Sequence, residues 1–222
     1  MARTECQACE LFTARLPTFN RLRMSQTSCT VLALFWIAVC GLGEDAPTIK
    51  FSSPDGRFAL QIAAPKDENS NERKVDLIEK ATGKVMLDLL ITSESHLPDT
   101  VLVWSADSKR AAYATRDNRE GETNVYFWNG SEFKGVPLPE SLPNPKIKFG
   151  KAAEGGGVKN YGGGTKPLRW LKSGELELAT DLMMMSHVDN RTYTGTVKFT
   201  VAFDAKHHAT LRTAGKSMTV VD

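Results

Sequence analysis

The sequence predicts an all-β fold made of repeated antiparallel sheets, and three observations carry that reading. A turn phrase recurs between pairs of β-forming runs: Phe51-Ser52-Ser53-Pro54-Asp55-Gly56-Arg57-Phe58, then Val103-Trp104-Ser105-Ala106-Asp107-Ser108-Lys109-Arg110, then Arg169-Trp170-Leu171-Lys172-Ser173-Gly174-Glu175-Leu176. Self-similarity of this kind marks a repeat architecture. A second hairpin signal follows each copy, and apolar residues nowhere keep a helical period over the roughly twelve residues that a convincing helix requires.

Each element follows from local chemistry. Proline presets the first corner of a turn, aspartate bonds its own backbone and glycine accepts a positive φ, so Pro54-Asp55-Gly56 predicts a tight turn with antiparallel flanks. Val75–Glu79 and Val85–Leu89 read as a hairpin about Ala81–Lys84. Asn124–Trp128 reads as a strand turning at Asn129-Gly130, the strongest short hairpin signal. The third copy continues through a β-branched and aromatic run from Thr192 to Phe203, a turn near Asp204-Ala205-Lys206 and a return through Thr210–Thr213. Each repeat is thus a unit of about four strands. The repeats fall near 48–90, 100–138 and 167–214, inside one domain over 44–222.

An aromatic residue, Ser-Pro-Asp-Gly-Arg/Lys and an apolar strand in succession resemble the blade motif of Tol-type and WD-repeat-like bacterial β-propellers, over most of the chain after residue 47. The first copy matches well. The second has Ala106 and Ser108 where the motif has Pro and Gly, and the third keeps Trp170, a Ser173-Gly174 turn and the strand. Three repeats fall short of the roughly four to eight blades at which propellers close, so the resemblance implies a partial propeller, a divergent closure with one blade unrecognised, or a stacked-sheet sandwich. It also implies an interaction scaffold for a protein or small-molecule ligand. The same fold carries enzymes, so a hydrolase or lyase is the alternative.

Residues 1–43 read as a leader. Val31–Cys40 is an apolar run of about ten residues, suited to a signal-peptide core and shorter than the roughly 20 residues of a membrane helix. Gly41-Leu42-Gly43 supplies small residues for cleavage before Glu44. Met24 stands close before the apolar run, so 24–43 forms a signal peptide on its own if 1–23 precede the true start; a long basic leader is the alternative. The expected location is therefore exported, periplasmic or secreted, without a transmembrane span in the mature chain. The alternative is a lipoprotein anchored at Cys40. All four cysteines, Cys6, Cys9, Cys29 and Cys40, fall in the leader, so the remainder relies on its core rather than on disulfides. The leader also removes four arginines and two glutamates, which turns the net charge of +2 into a neutral domain. Nucleic-acid binding, which needs a basic footprint, is excluded on that ground.

Candidate chemistry is sparse, and no cofactor is expected. If Met183, Met185 and His187 lie on one strand they share a face, and two thioethers with an imidazole suit reduced copper, which makes a periplasmic metal-handling module a further alternative. Methionine fills β-cores equally well. His207 and His208 read as turn residues, and His96 as an isolated loop histidine. Ser93-Glu94-Ser95-His96 and Ser186-His187 are adjacencies rather than triads, and Asp55 and Asp107 fall in turns. Catalytic residues therefore stay unassigned. The segment 150–166, with its glycine triplets, reads as a flexible linker, with a ligand-contacting lid as the alternative. Phe51, Trp104 and Trp170 are expected at equivalent buried positions between sheets.

Overall fold

The computed structural model describes residues 46–65, 70–117, 120–151 and 157–222. The expected leader and its cysteines lie outside them. The first repeat folds as a four-stranded meander of β1 (Thr48–Lys50), β2 (Phe58–Ile62), β3 (Glu72–Glu79) and β4 (Lys84–Ser93). A short 3-10 helix, Glu94–Asp99, leads into the second: β5 (Val101–Trp104), β6 (Arg110–Asp117), β7 (Glu120–Trp128) and β8 (Phe133–Val136). The third comprises β9 (Val158–Trp170), β10 (Leu176–Ser186), β11 (Thr192–Phe203) and β12 (Ala209–Ala214), with β13 (Met218–Val221) beside the other half of β11. The all-β, blade-like expectation holds.

One pairing departs from the antiparallel rule. Glu120 and Gly121 of β7 pair in parallel with Gly163 and Gly164 of β9, which joins the second and third meanders into one nine-stranded sheet. The glycines make this possible: Gly164 has a φ of 147°, and a Cβ there would collide with the backbone of Gly121. Glycine in a strand commonly marks such a close backbone approach. The linker expected over 150–166 is therefore corrected, because from Val158 onward it is strand; residues 152–156 lie outside the described set. The chain just before is tied down as well. The Lys146 and Lys148 N–H groups donate to Ser217 Oγ (2.8 Å) and Thr219 Oγ1 (3.1 Å), and the Phe149 ring meets Tyr193 at 5.2 Å.

Strand alternation decides the packing. Phe58, Leu60, Ile62, Val75 and Leu77 of the first sheet face Leu102, Ala111, Tyr113 and Phe133 of the second repeat. From the opposite face of that repeat, Ala112, Val125 and Phe127 meet Leu176, Leu178, Phe199 and Val201 of the third. The middle meander is thus buried on both sides, and each large apolar side chain removed from water contributes about 1.5–3 kcal/mol.

The recurring phrase builds the same turn in its first two copies and a turn one residue shorter in the third, where Leu171 N–H donates to the Glu175 carbonyl. Ser53 N–H donates to the Phe58 carbonyl and Gly56 N–H to the Ser53 carbonyl, both at 2.8 Å. Ser105 N–H to Arg110 and Ser108 N–H to Ser105 repeat the pattern at 2.9 Å. Asp55 accepts from Ser53 Oγ–H (2.6 Å) and Arg57 N–H (3.0 Å), as Asp107 does from Ser105 Oγ–H and Lys109 N–H. Burial pushes both carboxyls up, but these hydrogen bonds outweigh it and hold them below the ordinary aspartate range. Both carboxylates are occupied as turn acceptors. Ser108 adopts φ 58° where the first copy has Gly56 at φ 73°, an uncommon conformation for a residue with a Cβ. Its hydroxyl accepts from Asp55 N–H at 3.0 Å, which anchors it and joins the first two turns. In the third copy Gly174 N–H donates to the Leu171 carbonyl, and Arg110 Nη1 donates to the Gly174 carbonyl at 2.8 Å. The three turns are therefore linked in series.

Candidate functional site

The junctions between repeats carry the tryptophans. Trp104 Nε1–H donates to the Phe51 carbonyl at 2.7 Å, and Trp170 Nε1–H to the Val103 carbonyl at 3.3 Å. With Ser53 aligned on Ser105, Phe51 corresponds to Val103, so each indole reaches back to the same backbone position of the preceding repeat. Around them the rings also repeat: Trp104 lies 6.1 Å from Phe58 and 5.8 Å from Phe133, and Trp170 lies 6.0 Å from Phe127 and 5.7 Å from Phe203. Arg110 sits 4.8 Å over the Trp170 ring. The expected equivalence of Phe51 with Trp104 and Trp170 is corrected: Ser52 stands in the tryptophan register, and Phe51 is exposed with φ 51°. The one-residue offset was legible by aligning Ser53 with Ser105 rather than matching aromatics.

The structure places Met183 and Met185 on β10, opposite Thr194 and Thr192 of β11, and therefore on one face, where both are half-buried. His187 lies one residue beyond the strand, exposed in the following turn, with its N–H donating to the Gly157 carbonyl. The three do not share a strand as the spacing suggested. His207 and His208 are turn residues: His207 has φ 66° with its ring 4.6 Å from Phe127, and His208 Nδ1 lies 3.1 Å from Asp204 Oδ2. Ser93 Oγ lies 3.0 Å from His96 Nδ1 and 2.7 Å from Ser95 Oγ, contacts that its place just before the 3-10 helix brings about by itself.

Two concave regions flank the junction of the second and third repeats. The smaller, about 260 Å³, is lined by Asp99, Thr115, Thr165, Lys166 and Asp181 among others. Two of its charges engage each other: Asp181 holds Lys166 Nζ at 2.7 Å and accepts from Thr196 Oγ1–H at 2.7 Å. The larger is a groove of about 680 Å³, with β7 from Glu122 to Tyr126 on one side and the chain from Gly135 to Leu142 on the other. β9 pairs with β7 only at Glu120 and Gly121, and β8 takes over only at Val125, so among the described residues 122–124 have no strand neighbour on this side. The Thr123 N–H is met by Thr165 Oγ1 at 3.0 Å, while the buried Thr123 hydroxyl has no hydrogen-bond partner among the described residues. Sequence reasoning missed this groove. Its signal lay in Pro137 and Pro139, which end β8 after four residues, because proline cannot donate to a ladder.

Among the described residues no helix is long and apolar enough to cross a membrane. No family model and no curated protein matches the chain. Among solved structures the chain is similar to TolB from Acinetobacter baumannii, at 9% identity and a TM-score of 0.31, over 74% of this chain and 43% of that one. The chain spans less than half the length of that protein.

Proposed function

We propose that this chain is a binding module that takes an extended peptide segment of a partner protein into the groove along β7. The observation that carries this reading is the interrupted pairing at residues 122–124 on the floor of the groove. A strand that loses its neighbour offers backbone groups to an added strand, while adjacent pockets select side chains. Gly135 lines the groove, and a Cβ there would meet only Tyr126 at 4.0 Å. Gly135→Trp therefore fills the groove without disturbing the core. Peptides selected from a random display library on the purified chain are expected to bind at least tenfold more weakly to Gly135→Trp, about 1.4 kcal/mol. Selected peptides that bind the variant equally well would place recognition elsewhere. Turnover of an ester or glycoside library by the purified chain, lost with a cleft substitution, would favour the hydrolase alternative.

The module is read as exported, on the strength of the Val31–Cys40 apolar run. N-terminal sequencing of the protein recovered from cells is expected to begin near Glu44. Retention of residues 24–43 would refute cleavage, and a lipid mass on Cys40 would replace the soluble form with an anchored one.

A further inference from the structure

We infer that the segment taken into the groove is basic, with Lys or Arg side chains directed at the acidic side of β7. This rests on the groove being a peptide site, as proposed above, and names the chemistry of the partner.

The groove carries charge of one sign only. Among the side chains that line it, the charged ones are Glu122 and Glu140. Each is exposed, and neither has a hydrogen-bond or ion-pair partner among the described residues. β7 pairs with β6 in unbroken register from Glu120 to Phe127, so alternation puts Glu120, Glu122, Asn124 and Tyr126 on one side of the strand. Glu120 is likewise exposed and unpaired, and it carries the acidic strip past the end of the groove. Strand carboxylates elsewhere are matched by cations. Glu79 holds Arg57, Asp76 and Asp88 hold Lys74, Glu177 holds Arg169, and Asp181 holds Lys166. Lys134, on β8, lies 3.4 Å from Glu132 and does not line the groove. A one-signed strip of this kind favours partners of the opposite sign and rejects those of the same sign.

The rest of the lining suits such side chains. Burial, and after it the Glu122 carboxylate, raises the Tyr126 phenol above its ordinary value, which places Glu122 beside that ring. A cation brought there meets a carboxylate with an aromatic neighbour. Pro137 and Pro139 line the other wall without an N–H to offer, and the Thr123 N–H is already taken by Thr165. The unpaired charged groups of the groove therefore only accept hydrogen bonds, and Lys and Arg side chains only donate them. Their apolar stems lie on proline and leave the charged heads to the carboxylates. Because both glutamates are exposed, the attraction is screened over about 8 Å at physiological ionic strength and weakens as salt is raised.

Peptides selected from the random display library on the purified chain are expected to carry Lys or Arg at alternate positions. Replacing those residues by Gln in a selected peptide is expected to weaken its binding at least tenfold. Glu122→Gln with Glu140→Gln in the full chain is expected to weaken the selected peptide by a similar factor, to leave its Gln counterpart unchanged, and to flatten the dependence on salt. Circular dichroism identical to the parent confirms that the variant is folded. Peptides that Gly135→Trp displaces, and so bind in the groove, but that are apolar or acidic or ignore the two Gln substitutions would overturn the inference and leave the groove a peptide site. A library that yields no peptide sensitive to Gly135→Trp would overturn both.

Discussion

Trp104→Ala is expected to lower folding stability by about 3 kcal/mol, the low end for removing a large aromatic from a core because the ring is half-buried. In a domain of this size that corresponds to a fall of about 6–12 °C in melting temperature. The side chain stacks against Phe58 and Phe133 and donates to the Phe51 carbonyl, so its loss opens a cavity at the first junction and leaves a backbone acceptor without its donor. Trp104→Phe separates the two contributions: it keeps a ring and forfeits only the hydrogen bond, about 0.5–1.5 kcal/mol. Trp170→Ala should behave alike, since its indole makes the equivalent contact to Val103. A melting temperature unchanged in Trp104→Ala would show that the junction does not depend on the indole and would recast the ring as a ligand platform.

Gly164→Ala is expected to cost more than about 3 kcal/mol, because strain and overpacking act together. The residue sits at φ 147°, where side chains are disfavoured, and an added Cβ would collide with the Gly121 backbone across the parallel link. Relief requires β7 and β9 to separate, which breaks the only strand pairing between the second and third repeats among the described residues. Gly83→Ala isolates the conformational part: φ there is 68° and nothing lies within 4 Å of the added atom, so about 1 kcal/mol is expected. Urea denaturation of both variants decides the matter. Equal midpoints would mean that the parallel link carries no stability of its own.

The repeats were legible because their signals are local. A Pro-Asp-Gly corner and an Asn-Gly corner dictate turns through the φ preferences and side-chain bonds of a few consecutive residues, and the β-branched run at Thr192–Phe203 emerges as a strand with those bounds. The glycine-rich stretch was misread for the opposite reason. Glycine normally weakens a strand, and only the approach of Asp181 and Leu182 on one edge and of Glu120 and Gly121, more than forty positions away in sequence, on the other turns Gly163 and Gly164 into pairing residues. The groove on β7 was invisible on the same account, since its floor is defined by where two other strands stop.

The amino-acid sequence by itself determined the turns, the strand-forming runs, their threefold recurrence and the alternation that gives each sheet two apolar faces or one. These rest on backbone dihedral preferences and on a side-chain period of two, both properties of short segments. Tertiary structure alone decided that Trp104 and Trp170 clamp successive repeats, that Ser108 holds a strained φ by bonding Asp55, and that Met183 and Met185 leave His187 beyond the strand end. Each of these depends on which distant segments lie side by side, and that is set by the burial of whole faces against one another, a quantity no single stretch of the chain contains.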